Sequence, residues 1–297
     1  GSGTGTFTHF PSAYECAWFL TGKQWYIEEL CDAFARSMYN DQNDSWDKPL
    51  VGITTRYFGW TTMRVLPRLA MAERLGYLDG TRHQELFRRT VDWFYENLVH
   101  NPDERIQNFR VLRWDGLADR MSFNTYQSFG GQSLAQADIM YRTLLGDDML
   151  HEMAVWHSEH FLRLLGFSRW EGPQGVLKNA YFFKTSLNGE NYVKPGYGIP
   201  ATNWDQVYFS ATGTADYGPT AGKNIRELWE ALPDDRLTSK ADGRPTGFWT
   251  YPGYLYGALV LMYHATGKPE LKAAALKLDS ELKRIGEARD YRNTPVV

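Results

Sequence analysis

Apolar positions recur along this chain with a helical period, and the period restarts after glycine. In the stretch 12–38, Ala13, Cys16, Ala17 and Leu20 fall at i, i+3, i+4 and i+7, one face of an α-helix. Gly22 then ends the run, because glycine takes the left-handed conformation that helix ends need. Tyr26, Leu30 and Ala33 resume the spacing beyond it. The pattern predicts two helices joined by a short turn, with the apolar stripe buried. So short a hairpin cannot bury that face alone and needs neighbours of the same build.

The neighbours are present. Counting back from Gly146 by the same offsets finds Ala137, Met140, Tyr141 and Leu144, and from Gly267 it finds Ala258, Leu261, Met262 and Ala265. Beyond the two glycines the outer helices agree as well, through Leu150 and Ala154 in one and Leu271 and Ala275 in the other. A looser copy ends at Gly76, after Ala70, Met71 and Leu75; its second helix starts late, past Leu78–Thr81, and carries Leu86, Thr90 and Trp93. Four hairpins are therefore predicted, at about 12–38, 60–98, 128–165 and 254–286. The class is all-α, in one domain over about 9–290, with residues 1–8 read as a linker or cloning remnant. Residues 167–248 form an irregular insert, too long for a structureless loop. It should hold extra helices or a small sheet, with 223–232 its one clear helix and a short extended piece expected earlier, at 110–112.

The connections are unequal. The turn within each hairpin is short and centred on glycine, whereas every long connection precedes the first helix of the next hairpin. Side-by-side packing would gather the long loops at one end, around the N-termini of the inner helices, where binding and catalytic groups tend to sit. Delivered to that end are aromatic residues suited to stacking on sugar rings: Tyr14, Trp46, Tyr57, Trp60, Trp114, Trp204, Trp249, Tyr251 and Tyr254. With them come groups that bond or move protons: His9, Thr55, Arg56, Arg113, Asp115, Asp119, Asn124 and Tyr126. Glu15 lies one residue past Tyr14 on the first inner helix.

Composition narrows the choice of partner. The 297 residues are 43% hydrophobic and 23% charged, with a formal net charge of −3. That balance argues against nucleic acid or an anionic membrane as the main partner. No apolar run is long enough to span a bilayer, and no signal peptide is visible. The compartment and the oligomeric state are not legible. Cys16 and Cys31 are either two buried free thiols or a clamp on the first hairpin, and both alternatives stay open. His151, His157 and His160 read as the polar face of an outer helix rather than a metal site, since no HExxH-type spacing accompanies them. No metal and no cofactor is implied.

The string from His9 through Pro11, Ser12 and Tyr14 to the turn Leu20, Thr21 and Gly22, followed by Tyr26 and Glu29, is similar to a pattern in a known group. With the run Thr55–Trp60, it resembles the α/α-toroid superfamily of six-hairpin glycosidases and related polysaccharide lyases. The likeness covers about 9–166 and 249–286, with four hairpins here rather than six. The resemblance implies a glycan as substrate or ligand, and two chemistries compete. Glycoside hydrolysis needs two carboxylates across the scissile bond, for which Asp115, Asp119 and Glu15 are the candidates, with Asp205 and Asp216 behind them. Elimination on a uronate needs a group to neutralise the sugar carboxylate and a base to take the adjacent proton, for which His9, Arg56, Asn124 and Tyr126 are the set. Hydrolysis is slightly favoured because a weakly acidic chain is poorly suited to capture anionic uronates. The alternative of another class is a non-catalytic glycan-binding or assembly module on the same scaffold.

Overall fold

The computed structural model describes residues 13–40, 46–51, 58–103, 106–107, 110, 112, 120–122, 125–167, 184–186, 208–209, 214–215, 218–219 and 251–284. They are mostly helical, in keeping with the predicted all-α class. Four helical hairpins form. The first is α1 (Ala13–Thr21) and α2 (Gln24–Asn40). In the second, a π-wound segment Phe58–Val65 runs into α3 (Leu66–Arg74), and α4 (His83–Phe94) continues as a π-segment Tyr95–Val99. The third pairs α5 (Thr125–Met140), extended by the π-segment Tyr141–Leu145, with α6 (His151–Phe167). The fourth pairs α7 (Tyr251–Thr266) with α8 (Pro269–Arg284).

All four hairpin glycines adopt positive φ: 65° at Gly22, 80° at Gly76, 63° at Gly146 and 72° at Gly267. A side chain resists this region, so glycine is the residue that can turn here. At Gly76 the turn is a Schellman motif, in which the Gly76 N–H donates to the Glu73 carbonyl and the Tyr77 N–H to that of Ala72. The first and fourth turns share a device, Thr-Gly-Lys at 21–23 and again at 266–268. In each, the threonine hydroxyl bonds the carbonyl four residues back and accepts the lysine N–H.

Contacts between hairpins fix their order and direction. The helix begun at Phe58 packs on α5, and α5 packs on α7. The C-terminal ends of neighbours meet. Trp18 packs edge-on to Tyr77, Arg74 pairs with Asp147 at 2.6 Å, and Arg142 donates to the Ala265 carbonyl at 2.7 Å. The four inner helices therefore run parallel, with glycine turns at one end and inner-helix starts at the other. The insert and the connection before α5 meet in a small antiparallel sheet: β1 (Arg120–Ser122) pairs with β2 (Lys184–Ser186), which pairs with β3 (Tyr208–Phe209). A second pair, β4 (Thr214–Ala215) and β5 (Gly218–Pro219), lies within the insert. Thus the extended piece falls at 120–122, after the expected 110–112, and residues 223–232 lie outside the described residues.

The buried stripe is as expected in α7, where Ala258, Leu261, Met262 and Ala265 are all buried. It is not so in α1. Leu20 is 86% exposed and Cys16 is exposed, while Glu15 and Trp18 are buried. The helix is rotated because Glu15 is drawn to two arginines of the second hairpin and Trp18 is drawn to Tyr77. Cys16 and Cys31 are both free, the former exposed and the latter half-buried, so neither alternative of two buried thiols or a clamp describes the pair. His157 and His160 are also corrected: both are fully buried, stacked at 5.5 Å, between α5 and the connection that carries Arg110.

Close approach of α5 to α6 explains one helical glycine. A Cβ built on Gly131 would stand 2.8 Å from the Phe161 ring and 3.3 Å from His157 Nε2. Gly131→Ala should therefore cost about 1–3 kcal/mol in urea unfolding by overpacking. Gly22→Ala, which meets open space, should cost about 1 kcal/mol from backbone strain alone. An unchanged midpoint for Gly131→Ala would contradict this packing.

Candidate functional site

The inner-helix starts are the site expected from the sequence, and the parallel packing brings those at Phe58, Thr125 and Tyr251 to one end, whereas α1 starts about two turns further along, its Glu15 against Arg64 and Arg68. Tyr14 stands on the first turn of α1, Trp60 on the first turn of the segment begun at Phe58, Tyr126 on that of α5, and Tyr251 and Tyr254 on that of α7. The structure thus brings the helix positions of Trp60, Tyr126, Tyr251 and Tyr254 to one end, while Tyr14 lies nearer the glycine turn, beside Trp25. His9, Arg56, Tyr57, Trp114, Asp115, Asp119, Asn124, Trp204 and Trp249 lie outside the described residues, as do Thr55, Arg113, Asp205 and Asp216. Trp46 is placed away from the expected rim. It packs edge-on to Phe34 and His83, against the outer helices of the first two hairpins.

Tyr14 is half-buried and packs edge-on to Trp25, with ring centres 6.2 Å apart. Glu15, 3% exposed, is engaged on both oxygens. Arg64 reaches Oε1 at 2.7 Å and Arg68 Nε approaches Oε2 at 2.8 Å. The second approach is out of line for a hydrogen bond and acts as a charge contact. Arg68 also donates to the Arg64 carbonyl. Burial lowers the Arg68 guanidinium pKa, and the Glu15 charge works against that fall. A carboxylate held this way ties two hairpins together.

A second polar centre escaped the sequence reading. Asp138 on α5 is fully buried and holds Arg142 through two hydrogen bonds, at 3.1 and 3.0 Å, and His151 Nδ1 at 3.2 Å. The signal was available: a carboxylate within an apolar inner stripe, with arginine four residues on. Gln107 is a third anchor. Its amide nitrogen donates to the carbonyls of Leu98, Val99 and Asn101, and its oxygen accepts from Trp156 Nε1. This holds the connection after α4 against α6. Arg110, the one described non-glycine residue at positive φ (49°), has its carbonyl on His157 Nδ1 at 2.9 Å.

The glycine-turn end carries a groove of about 870 Å³ between the second and third hairpins. Its floor includes Ala70 of α3 and Tyr141. Phe87, Val91 and Tyr95 form one wall, and Met149, His151 and Glu152 stand on the other. The Tyr141 hydroxyl donates to the Pro67 carbonyl and the Tyr95 hydroxyl to that of Met149, both at 3.0 Å. Burial pushes both phenols up, Tyr95 to about 12, so they are donors here and not bases. Among the described residues no three His, Cys, Asp or Glu side chains converge as a metal site would require.

His83, 1% exposed, faces Cys31 Sγ at 3.8 Å and packs edge-on to Phe34 and Trp46. Burial lowers its pKa from 6.5 to about 4, and raises that of the Cys31 thiol to about 11, so the pair is neutral and holds no thiolate nucleophile.

Two outcomes follow. Glu15→Ala leaves Arg68 buried without its counter-charge and should lower stability by about 3–5 kcal/mol in urea titration. Lost turnover at unchanged stability would instead make Glu15 catalytic. For His83, the unfolded chain takes a proton near pH 6.5 and the folded chain only near 4. Its contribution is full above 6.5 and is lost as pH falls toward 4, on the order of 3 kcal/mol. Unfolding midpoints measured across that window should fall with pH in the parent and be flatter in His83→Gln; parallel profiles would exclude His83 as the cause.

Against known proteins, no family model matches this chain, and neither a curated protein nor a solved structure matches it.

Proposed function

We propose that this chain is a carbohydrate-active protein of the α/α-toroid kind, binding a glycan across the inner-helix starts and cleaving it by hydrolysis. The observation that carries the reading is the placement of Trp60, Tyr126, Tyr251 and Tyr254 on the first turns of three parallel inner helices. Aromatic residues at such positions suit the faces of successive sugar rings, and on this reading Asp115 and Asp119, from the connection before α5, serve as the acid and base of hydrolysis. On this reading His9 and Arg56 bond sugar hydroxyls or hold a neighbouring carboxylate. In an elimination, the same two residues with Asn124 and Tyr126 would serve a uronate instead.

One observation favours the binding-module reading as the second choice. Glu15, the carboxylate of the candidate set that is described, is engaged by Arg64 and Arg68. Hydrolysis therefore rests on Asp115 and Asp119.

Trp60→Ala and Tyr251→Ala should each weaken glycan binding by about tenfold, the loss of one stacking contact, with the melting temperature little changed. Released reducing ends would mark hydrolysis, and a new ultraviolet-absorbing sugar end would mark elimination. Binding without either product would leave the module reading. Absence of binding across neutral and acidic polysaccharides would remove the proposal altogether.

A further inference from the structure

Each hairpin after the first receives its predecessor in the same way. The residue that follows the turn glycine makes the contact. Tyr77 packs edge-on to Trp18 of the first hairpin, Asp147 pairs with Arg74 of the second, and Lys268 pairs with Glu159 of the third. The fifth residue before the glycine is buried in all three, as Met71, Tyr141 and Met262. Tyr141 shows why, since it reaches back to the Phe87 ring and the Pro67 carbonyl of the second hairpin.

The first hairpin carries the same positions uncovered. Lys23 follows Gly22, is exposed, and meets no charged partner among the described residues. Ala17, five before the glycine, is only half-buried, and Cys16 beside it is exposed where Ala70 and Leu261 are buried. Trp25, three past the glycine, is 54% exposed, whereas Met149 at the matching place lines the groove against the second hairpin. Phe19 and Leu20 are 47% and 86% exposed. Leu144, which matches Leu20, is 57% exposed although its hairpin has a predecessor. Leu20 therefore counts toward apolar area and not toward the repeat.

Area and charge select the occupant. Phe19, Leu20 and Trp25 together leave about 400 Å² of apolar side chain in water, as much as the largest patch on a typical monomer. Homodimer interfaces are roughly two-thirds apolar, so a contact centred here covers about 600 Å² on each copy. The total, about 1,200 Å², is the lower edge of what a specific dimer needs. A two-fold contact sets a surface against its own image, which suits a patch without like charges to oppose. Cys16, Phe19, Leu20 and Trp25 are uncharged. Lys23 beside them is balanced by Glu28, exposed one turn along α2 from Trp25.

We infer that a second copy of this chain docks on the open face of the first hairpin, about a two-fold axis. Cys16 and Ala17 are small and let the two α1 helices approach, while Leu20 and Trp25 of each copy cover those of the other. Lys23 and Glu28 pair across the rim. The contact leaves the inner-helix starts at Phe58, Thr125 and Tyr251 free, so it does not depend on the glycan reading.

The test is sedimentation velocity of the full chain across concentration. A contact of this size should give a reversible monomer–dimer equilibrium, half paired at roughly 10–100 μM. Leu20→Asp brings two carboxylates to the contact, one from each copy, and should weaken pairing at least about tenfold with the melting curve in dilute solution unchanged. Leu144→Asp, at the matching place of the third hairpin, should leave pairing as it was. A short bismaleimide should join two chains through Cys16 and fail to join them in Cys16→Ser. The inference is overturned if the chain stays monomeric at about 500 μM. It is also overturned if Leu20→Asp pairs as tightly as the parent, if Leu144→Asp abolishes pairing, or if the cross-link survives Cys16→Ser. A monomer whose amides over 14–25 already exchange slowly would show the chain's own residues covering the face, and overturns it as well.

Discussion

A buried carboxylate has few ways to be tolerated, and Asp138 uses several at once. Moving its charge out of water costs several kcal/mol unless partners surround it. Here Arg142 bonds both of its oxygens and His151 closes in from the outer helix of the same hairpin. Arg142 then hands the tie onward to the Ala265 carbonyl at the end of the next inner helix. One residue thus binds an inner helix to its own outer helix and to the neighbouring hairpin. Glu15 does the same between the first and second hairpins through Arg64 and Arg68. Apolar stripes alone would let parallel helices slide by a turn. Desolvated charges do not, because a slipped register strands a charge in the interior.

That constraint explains which parts of the fold were legible in the sequence. The hairpins could be read because a positive φ strongly favours glycine, and all four turn glycines sit where the spacing put them. The outer faces followed from Leu150, Ala154, Leu271 and Ala275, every one buried. The orientation of α1 could not be read. Its small and apolar residues outline a stripe ending in Leu20, yet the buried side is the one with Glu15 and Trp18. A carboxylate counts as polar in any periodicity argument, so a charge buried by pairing turns the prediction round. His157 and His160 misled for the same reason. They read as a polar face, and they are interior groups of which His157 holds the Arg110 carbonyl. Pairing partners distant in sequence leave no mark in local spacing.

For the candidate site the sequence pointed to a place more than to a set of groups. Unequal connections indicated the end where long loops arrive, and parallel inner helices give that end a physical basis. Trp60, Tyr126, Tyr251 and Tyr254 stand on neighbouring first turns for that reason, and Tyr14, on the shorter α1, does not join them. The groove at the other end left a fainter trace. Its carboxylates come from α4, the turn after Gly146 and α6, and only the tertiary arrangement collects them. The ties of Asp138 and Arg142 lie near the glycine turns, away from the inner-helix starts.

The central claim is that ligand recognition belongs to the inner-helix starts, and hydrogen-exchange mass spectrometry of the full chain with and without a bound glycan tests it most directly. The account predicts slower exchange in peptides spanning the starts at 58–60, 125–126 and 251–254, with α4 and the turn at 147–152 unchanged. Protection confined to 84–95 and 147–152, with the helix starts exchanging as before, would contradict it.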